Sequence, residues 1–385
     1  MHTPVYLDTP ETVDSFLASI NPSASSVESK SIALDTEGAS FHRFIDRIYL
    51  LQLSTRDRTA IIDPIPIGHP ARLGRILEDP TIEIVFHDAD YDLRLLQQDY
   101  KWHVRNIFDT RVAAQLLGLR AFGLAALLER YFGVKLDKKH QRADWSMRPL
   151  PQGMLDYAAQ DTIHLLELRD RLEHDLERAG RLDWAREEFS LLEGTRWADE
   201  DPGDAFLRVK GARDLSRREL AVLRELVQWR DGVAGQLDRA TFRVVGNEQL
   251  LEIARRQSTS REELAAIKGV PRGMIDPRGQ EMLDAVARGV AVPENALPKF
   301  PRAARWDRDP EFDARVAALK TVRDAAATRL ELDPGVLCAR DRLEAVARKN
   351  PASRAELDEV RELRAWQRGL LGEDFLKALR SYKPM

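Results

Sequence analysis

One cysteine, Cys338, stands in 385 residues. A single thiol excludes an internal disulfide and any cysteine cluster for zinc or iron–sulfur. It fits a reducing cytoplasm, with Cys338 read as a small buried residue. Long hydrophobic runs are missing too. No stretch approaches the roughly 20 apolar residues that a membrane-spanning helix needs, so no membrane role is expected. Residues 1–20 carry Asp8, Glu11 and Asp14 without an apolar centre and predict no signal peptide. A large net charge is also absent, the balance being −4. Residues 1–200 hold 33 acidic against 24 basic side chains, residues 208–293 hold 12 against 16, and residues 294–385 hold 16 against 19. An acidic front that concentrates cations and a mildly basic rear that meets a polyanion is one reading of this split; ordinary surface scatter is the other.

The length predicts two or three domains. The front half alternates strand and helix signals. Strands are expected at Ile32 to Leu34 running into Asp35, at Arg47 to Leu53, at Thr59 to Asp63 and at Glu83 to Phe86. Helices are expected at Pro70 to Glu78, Asp90 to Tyr100, Asp109 to Leu117, Gly123 to Tyr131 and, as one long element, Met154 to Ala179. This pattern predicts an α/β domain with a mixed sheet over 1–200. The rear has no strand pattern and contains a repeat. Residues 230–264 align without gaps on 323–357, with 11 of 35 positions identical, among them Arg230/Arg323, Ser260/Ser353, Arg261/Arg354 and Leu264/Leu357. Two all-α modules are therefore expected, at 208–292 and 312–385. A stiff connector with Pro293, Pro298, Pro301 and Pro310 joins them.

The chemistry centres on Asp35-Thr36-Glu37. Side chains alternate along a strand, so Asp35 and Glu37 point the same way. Two acids aimed at one point repel, and a shared divalent cation relieves them; oxygen ligands suit Mg²⁺ or Mn²⁺. Two more elements supply acids. Asp92 follows the strand Glu83 to Phe86, with Asp88 and Asp90 as alternative helix caps. Tyr157 and Asp161 lie four residues apart on one helical face. Four carboxylates on separate elements match two-metal phosphoryl transfer, in which one ion activates water and the other steadies the leaving oxygen. In this reading Asp35 bridges both ions. Glu37 and Asp161 complete the first, Asp92 helps hold the second through water, and Tyr157 orients the attacking water.

Asp35-Thr36-Glu37, His87…Asp92-Leu93 and Tyr157-Ala158-Ala159-Gln160-Asp161 resemble the three exonuclease motifs of the DEDD superfamily, in its tyrosine-bearing branch. Phe122-Gly123-Leu124, Gly133-Val134, Leu136-Asp137-Lys138, Arg142-Ala143-Asp144-Trp145 and Arg148-Pro149-Leu150 are similar to the ribonuclease D family, and the rear repeats look like its HRDC domains. The second copy departs from the first where Trp229 becomes Val322 and Gly269-Val270-Pro271 becomes Glu362-Leu363-Arg364. The resemblance implies a ribonuclease H-like exonuclease domain with a mixed sheet, followed by two HRDC-like domains. It implies a cytoplasmic, metal-dependent 3′→5′ exoribonuclease using two divalent cations, Mg²⁺ or Mn²⁺. Its substrates would be structured RNAs with 3′ tails, tRNA precursors above all, and a monomer is the expected form. Lys138, Arg142 and Arg148 could neutralise phosphates. Trp145 reads as a base-stacking face or a packed core residue, and Asp144 could pair with either arginine. Phe41 reads as a wedge against terminal bases or part of a capped turn, and His87 as a neighbour of the metals or a structural donor. A DNA exonuclease and a catalytically silent RNA-binding protein fit the same motifs and stay open.

Overall fold

The computed structural model describes residues 3–19, 30–136, 139–197, 201–301 and 309–382. Lys138 therefore lies outside the described residues. Ser31–Glu37 (β2) is apolar on both faces through Ile32, Ala33 and Leu34, which suits a strand covered on both sides. It lies inside a six-stranded sheet with Val5–Leu7 (β1), Leu50–Ser54 (β3), Thr59–Ile62 (β4), Glu83–Phe86 (β5) and Ile107–Asp109 (β6), in the order β1-β4-β3-β2-β5-β6. The β2/β3 and β3/β4 pairs are antiparallel and the other three parallel, so the sheet is mixed. Strands β1 and β6 are not foreseen in the sequence, because three residues are too few to show a period.

Most helices fall within two residues of their expected spans, Asp90–Tyr100 at both ends. The expected long helix from Met154 to Ala179 is instead two, Gln152–Ile163 and Leu165–Arg178, broken at His164. The apolar spacing runs on through the break. The halves pack on different cores: Met154, Ala158 and Ala159 join Leu50, Ile61 and Trp145, whereas Leu165, Leu168 and Leu172 join Phe108 and Leu128.

The rear is helical, and its two copies repeat one design. Arg217–Leu237, Asn247–Arg256, Arg261–Ala265 and Arg272–Ala291 correspond to Phe312–Leu330, Arg340–Lys349, Arg354–Asp358 and Ala365–Leu379. The shared Ser260 and Ser353 each cap a five-residue helix, accepting from Glu263 N and Glu356 N. The copies dock differently. The first keeps an apolar core of its own, whereas the core of the second runs continuously into the front domain. There Trp184 stacks on Trp366 at 4.7 Å, and Glu187 accepts from the backbone N–H groups of Ala365 and Trp366 at a helix N-terminus. Glu188 receives Arg364 and the Trp366 indole N–H. The change to Arg364 in the second copy thus serves docking. Among the described residues no helix is long and apolar enough to cross a membrane.

Gly118 lies under this seam with φ +78°, and a Cβ there would come 2.3 Å from the Glu331 carbonyl. Gly118→Ala is expected to cost about 2 kcal/mol or more, from left-handed backbone plus overlap, and to loosen the second module first. Denaturant titration followed by limited proteolysis within 312–382 checks this.

Candidate active site

Because Asp35 and Glu37 project from one face of β2, their carboxylates meet over the sheet, and the helix Gln152–Ile163 brings Asp161 to them. One oxygen from each of the three lies within 4.8 Å of the others, and all three side chains are partly exposed. At that separation two unit charges repel by roughly 3 kcal/mol at an effective dielectric near 20. Protonation is the response of the protein alone. Burial, then Asp161, lifts Asp35 well above the carboxylate range. Burial, then Asp35, lifts Glu37 likewise. Asp161 is pushed up to about 7 by burial and then by Asp92. A divalent cation reverses every one of these repulsions, and three convergent carboxylate oxygens are the donor set that hard cations take.

Asp92 stands outside that group of three. It is buried in the first turn of Asp90–Tyr100, and its Oδ1 accepts from Thr36 N at 3.0 Å and from Thr36 Oγ1. Burial, then Asp35, raises it as well. Thr36 is the residue between the two acids of β2, so one strand carries the pair and ties down the fourth carboxylate. Asp88 turns away to pair with Arg111, and Asp90 pairs with Arg94. Asp109, which sequence reasoning passed over, is fully buried and accepts from Ala89 N at 2.7 Å while capping Thr110–Leu116; it holds the turn that leads to Asp92. Only its position directly ahead of a helix could have signalled it.

Tyr157 lies one turn before Asp161, its ring 5.8 Å from His140 and 6.1 Å from Trp145. His87 donates through Nδ1 to Thr110 Oγ1 at 2.9 Å, because the Thr110 hydroxyl is itself spent on Phe86 O. Burial, then Arg111, lowers His87 to about 4, so near neutrality it offers no charge to a phosphate.

Two of the expected substrate contacts are corrected. Trp145 is 1% exposed, packed with Tyr49, Leu50, Ile61 and Leu150, so no base can stack on it. Arg148 gives all five N–H groups to the protein: two to Asp63, and one each to the carbonyls of Tyr49, Trp145 and Met147. None is left for a phosphate, and the arginine braces the loop that carries Trp145. Asp144 pairs with Arg43 rather than with Arg142 or Arg148.

Phe41 and Arg142 are accessible. The Arg142 guanidinium lies 5.2 Å over the Phe41 ring, and Phe242 of the first helical module meets that ring edge-on at 6.3 Å. The same module donates Arg243 Nε to Phe41 O at 2.5 Å and Ala240 N to His42 O at 3.1 Å. Between loop and module lies a cleft of about 510 Å³ lined by His42, Arg43, Arg239 and Arg243, with Asp144 and Asp238 among them.

Carboxyls raised in the folded chain hold protons that the unfolded chain has released. Without metal, the contribution of Asp161 to stability is therefore expected to fall as pH rises from about 4 to about 7. Thermal melts in chelator over that window should show Asp161→Asn gaining on wild type as pH rises.

The 3′-5′ exonuclease family pattern matches residues 6–177, and the HRDC domain pattern matches 219–286 and 312–379. The chain is 32% identical over 348 residues to ribonuclease D of Granulibacter bethesdensis, spanning 90% of this chain and 86% of that protein. It is 34% identical over 269 residues to ribonuclease D of Escherichia coli, spanning 70% and 72%. The crystal structure of Escherichia coli RNase D, an exoribonuclease involved in structured RNA processing, aligns over 100% of both chains with TM-score 0.74 at 27% identity. Front and rear thus fall to one family in one order, and the chain belongs to the ribonuclease D family.

Proposed function

We propose that the chain is a metal-dependent 3′→5′ exoribonuclease that removes nucleoside 5′-monophosphates one at a time, with tRNA precursors and other structured RNAs bearing 3′ tails as substrates in the cytoplasm. The observation that carries the reading is the convergence of Asp35, Glu37 and Asp161, with Asp92 tied beside them through Thr36. When bound there, two Mg²⁺ or Mn²⁺ ions would supply the positive charge that makes water nucleophilic near neutral pH and stabilises the leaving 3′ oxygen. Asp35, Glu37 and Asp161 would hold one ion. Asp35, with the Asp92 oxygen not engaged by Thr36, would hold the other, Asp92 acting through water. The Tyr157 hydroxyl orients the attacking water; it is no free base, since a phenol ordinarily ionises near pH ~10.

The mouth of the site supports an RNA strand entering between domains. Phe41 begins four residues past Glu37, and the exposed rings of Phe41 and Phe242 with Arg142 offer stacking and charge together. Arg239 and Arg243 line the adjoining cleft, where upstream phosphates would lie. RNA and DNA differ at the 2′-hydroxyl, so a matched DNA belongs in the test.

A 5′-labelled RNA with an unpaired 3′ tail, incubated with Mg²⁺ or Mn²⁺, is expected to shorten as a ladder from the 3′ end. Asp35→Ala should slow this by roughly a thousandfold or more, and Tyr157→Phe by roughly a hundredfold. Chelator should stop it. Equal shortening of DNA would move the reading to a DNA exonuclease, and binding without shortening would sink the catalytic reading.

A further inference from the structure

Gln52 has no accessible surface, and among the described residues neither its amide nitrogen nor its amide oxygen has a hydrogen-bond partner. It sits on β3 directly opposite Asp35 on β2, and opposite Ile61 on β4. Paired residues of antiparallel strands point to the same face, with Cβ atoms roughly 5 Å apart. The Gln52 amide thus lies in the layer under the helix Gln152–Ile163, beside the acid at the centre of the cluster and next to an apolar residue on its other side. The neighbours of Gln52 on its own strand are Leu50, Leu51 and Leu53. An apolar residue would fit this place without stranding an amide, so local stability does not account for glutamine. A buried amide without a partner calls for a water, and a carboxylate one residue away supplies the second partner such a water requires. A third lies in the same layer: Trp145, packed with Leu50 and Ile61, has a buried indole N–H that also lacks a partner.

We propose that Gln52 is a positioning residue for the metal site. Its amide N–H is donated, through one ordered water, to the inward oxygen of Asp35, which turns the outward oxygen toward Glu37 and Asp161. This rests on the metal-site reading above. An acid with two free rotations must otherwise be ordered at the moment of binding, and partners one shell out typically govern metal affinity by 10–100-fold.

The test is calorimetric titration of the full chain with Mn²⁺, wild type against Gln52→Met, a side chain of similar length. Gln52→Met is expected to bind Mn²⁺ roughly tenfold more weakly, while its metal-free melting temperature stays level or rises, because an unpaired buried amide has gone. Equal Mn²⁺ affinity in the two proteins would overturn the positioning role and leave the metal site standing. No Mn²⁺ binding by wild type would overturn the metal site, and the positioning role with it. Should Gln52→Met fail to fold, a high-resolution crystal structure of the wild-type chain decides. A water within hydrogen-bonding distance of both Gln52 Nε2 and an Asp35 oxygen supports the role, and a Gln52 amide satisfied elsewhere overturns it.

Discussion

Carboxylates that converge on one point repel, and the surroundings of β2 are organised around holding them there. The strand pairs with β5 over Ser31–Ala33 and with β3 over Ala33–Glu37, so Asp35 and Glu37 cannot retreat without breaking the β2/β3 ladder. Thr36 answers the same problem on the other face, with its N–H and hydroxyl both given to Asp92. Asp109 fixes the turn before Asp92 through backbone N–H groups rather than charge. The protein alone relieves the strain by protonation, whereas a cation relieves it by attraction. A cation bound there would turn the same repulsion into attraction.

The two helical modules show one sequence design put to two uses. Shared caps and shared core positions give the same helices. What differs is the surface each turns toward the front domain. The second copy carries Arg364 where the first has Pro271 and sets Trp366 against Trp184, and so becomes part of the domain core. The first keeps its own core and meets the loop after β2 through hydrogen bonds and exposed rings. A module held that way lies beside the site without being fused to it, and the cationic cleft lies at that junction. Two arginines of the rear half, Arg239 and Arg243, thus face the front domain at that junction.

The loop before the helix Gln152–Ile163 looks like a nucleic-acid grip in the sequence, with cations around a tryptophan. In the fold its Trp145 and Arg148 turn inward. Arg148 closes on the buried Asp63, and Trp145 fills the space below Tyr157. Arg142 of the same loop stays exposed, over the exposed ring of Phe41.

Legible in the amino-acid order alone were the alternation of the front domain, the duplication in the rear and the three acids that meet, Asp35, Glu37 and Asp161. These follow from short-range rules: a period of two carries Asp35 and Glu37 to one face, a period of 3.6 carries Tyr157 and Asp161 to another, and repeats align without reference to space. Where a polar side chain spends its hydrogen bonds is a long-range matter, so only the tertiary structure decided that Arg148 is a brace, that Trp145 is core and that Thr36 and Asp109 hold Asp92. The break at His164 belongs there too, because both halves of that helix keep the same spacing and only the cores they face differ. Gln52 is the sharpest case. In the sequence it is one polar residue among leucines, and only strand register sets it opposite Asp35 with its amide unpaired.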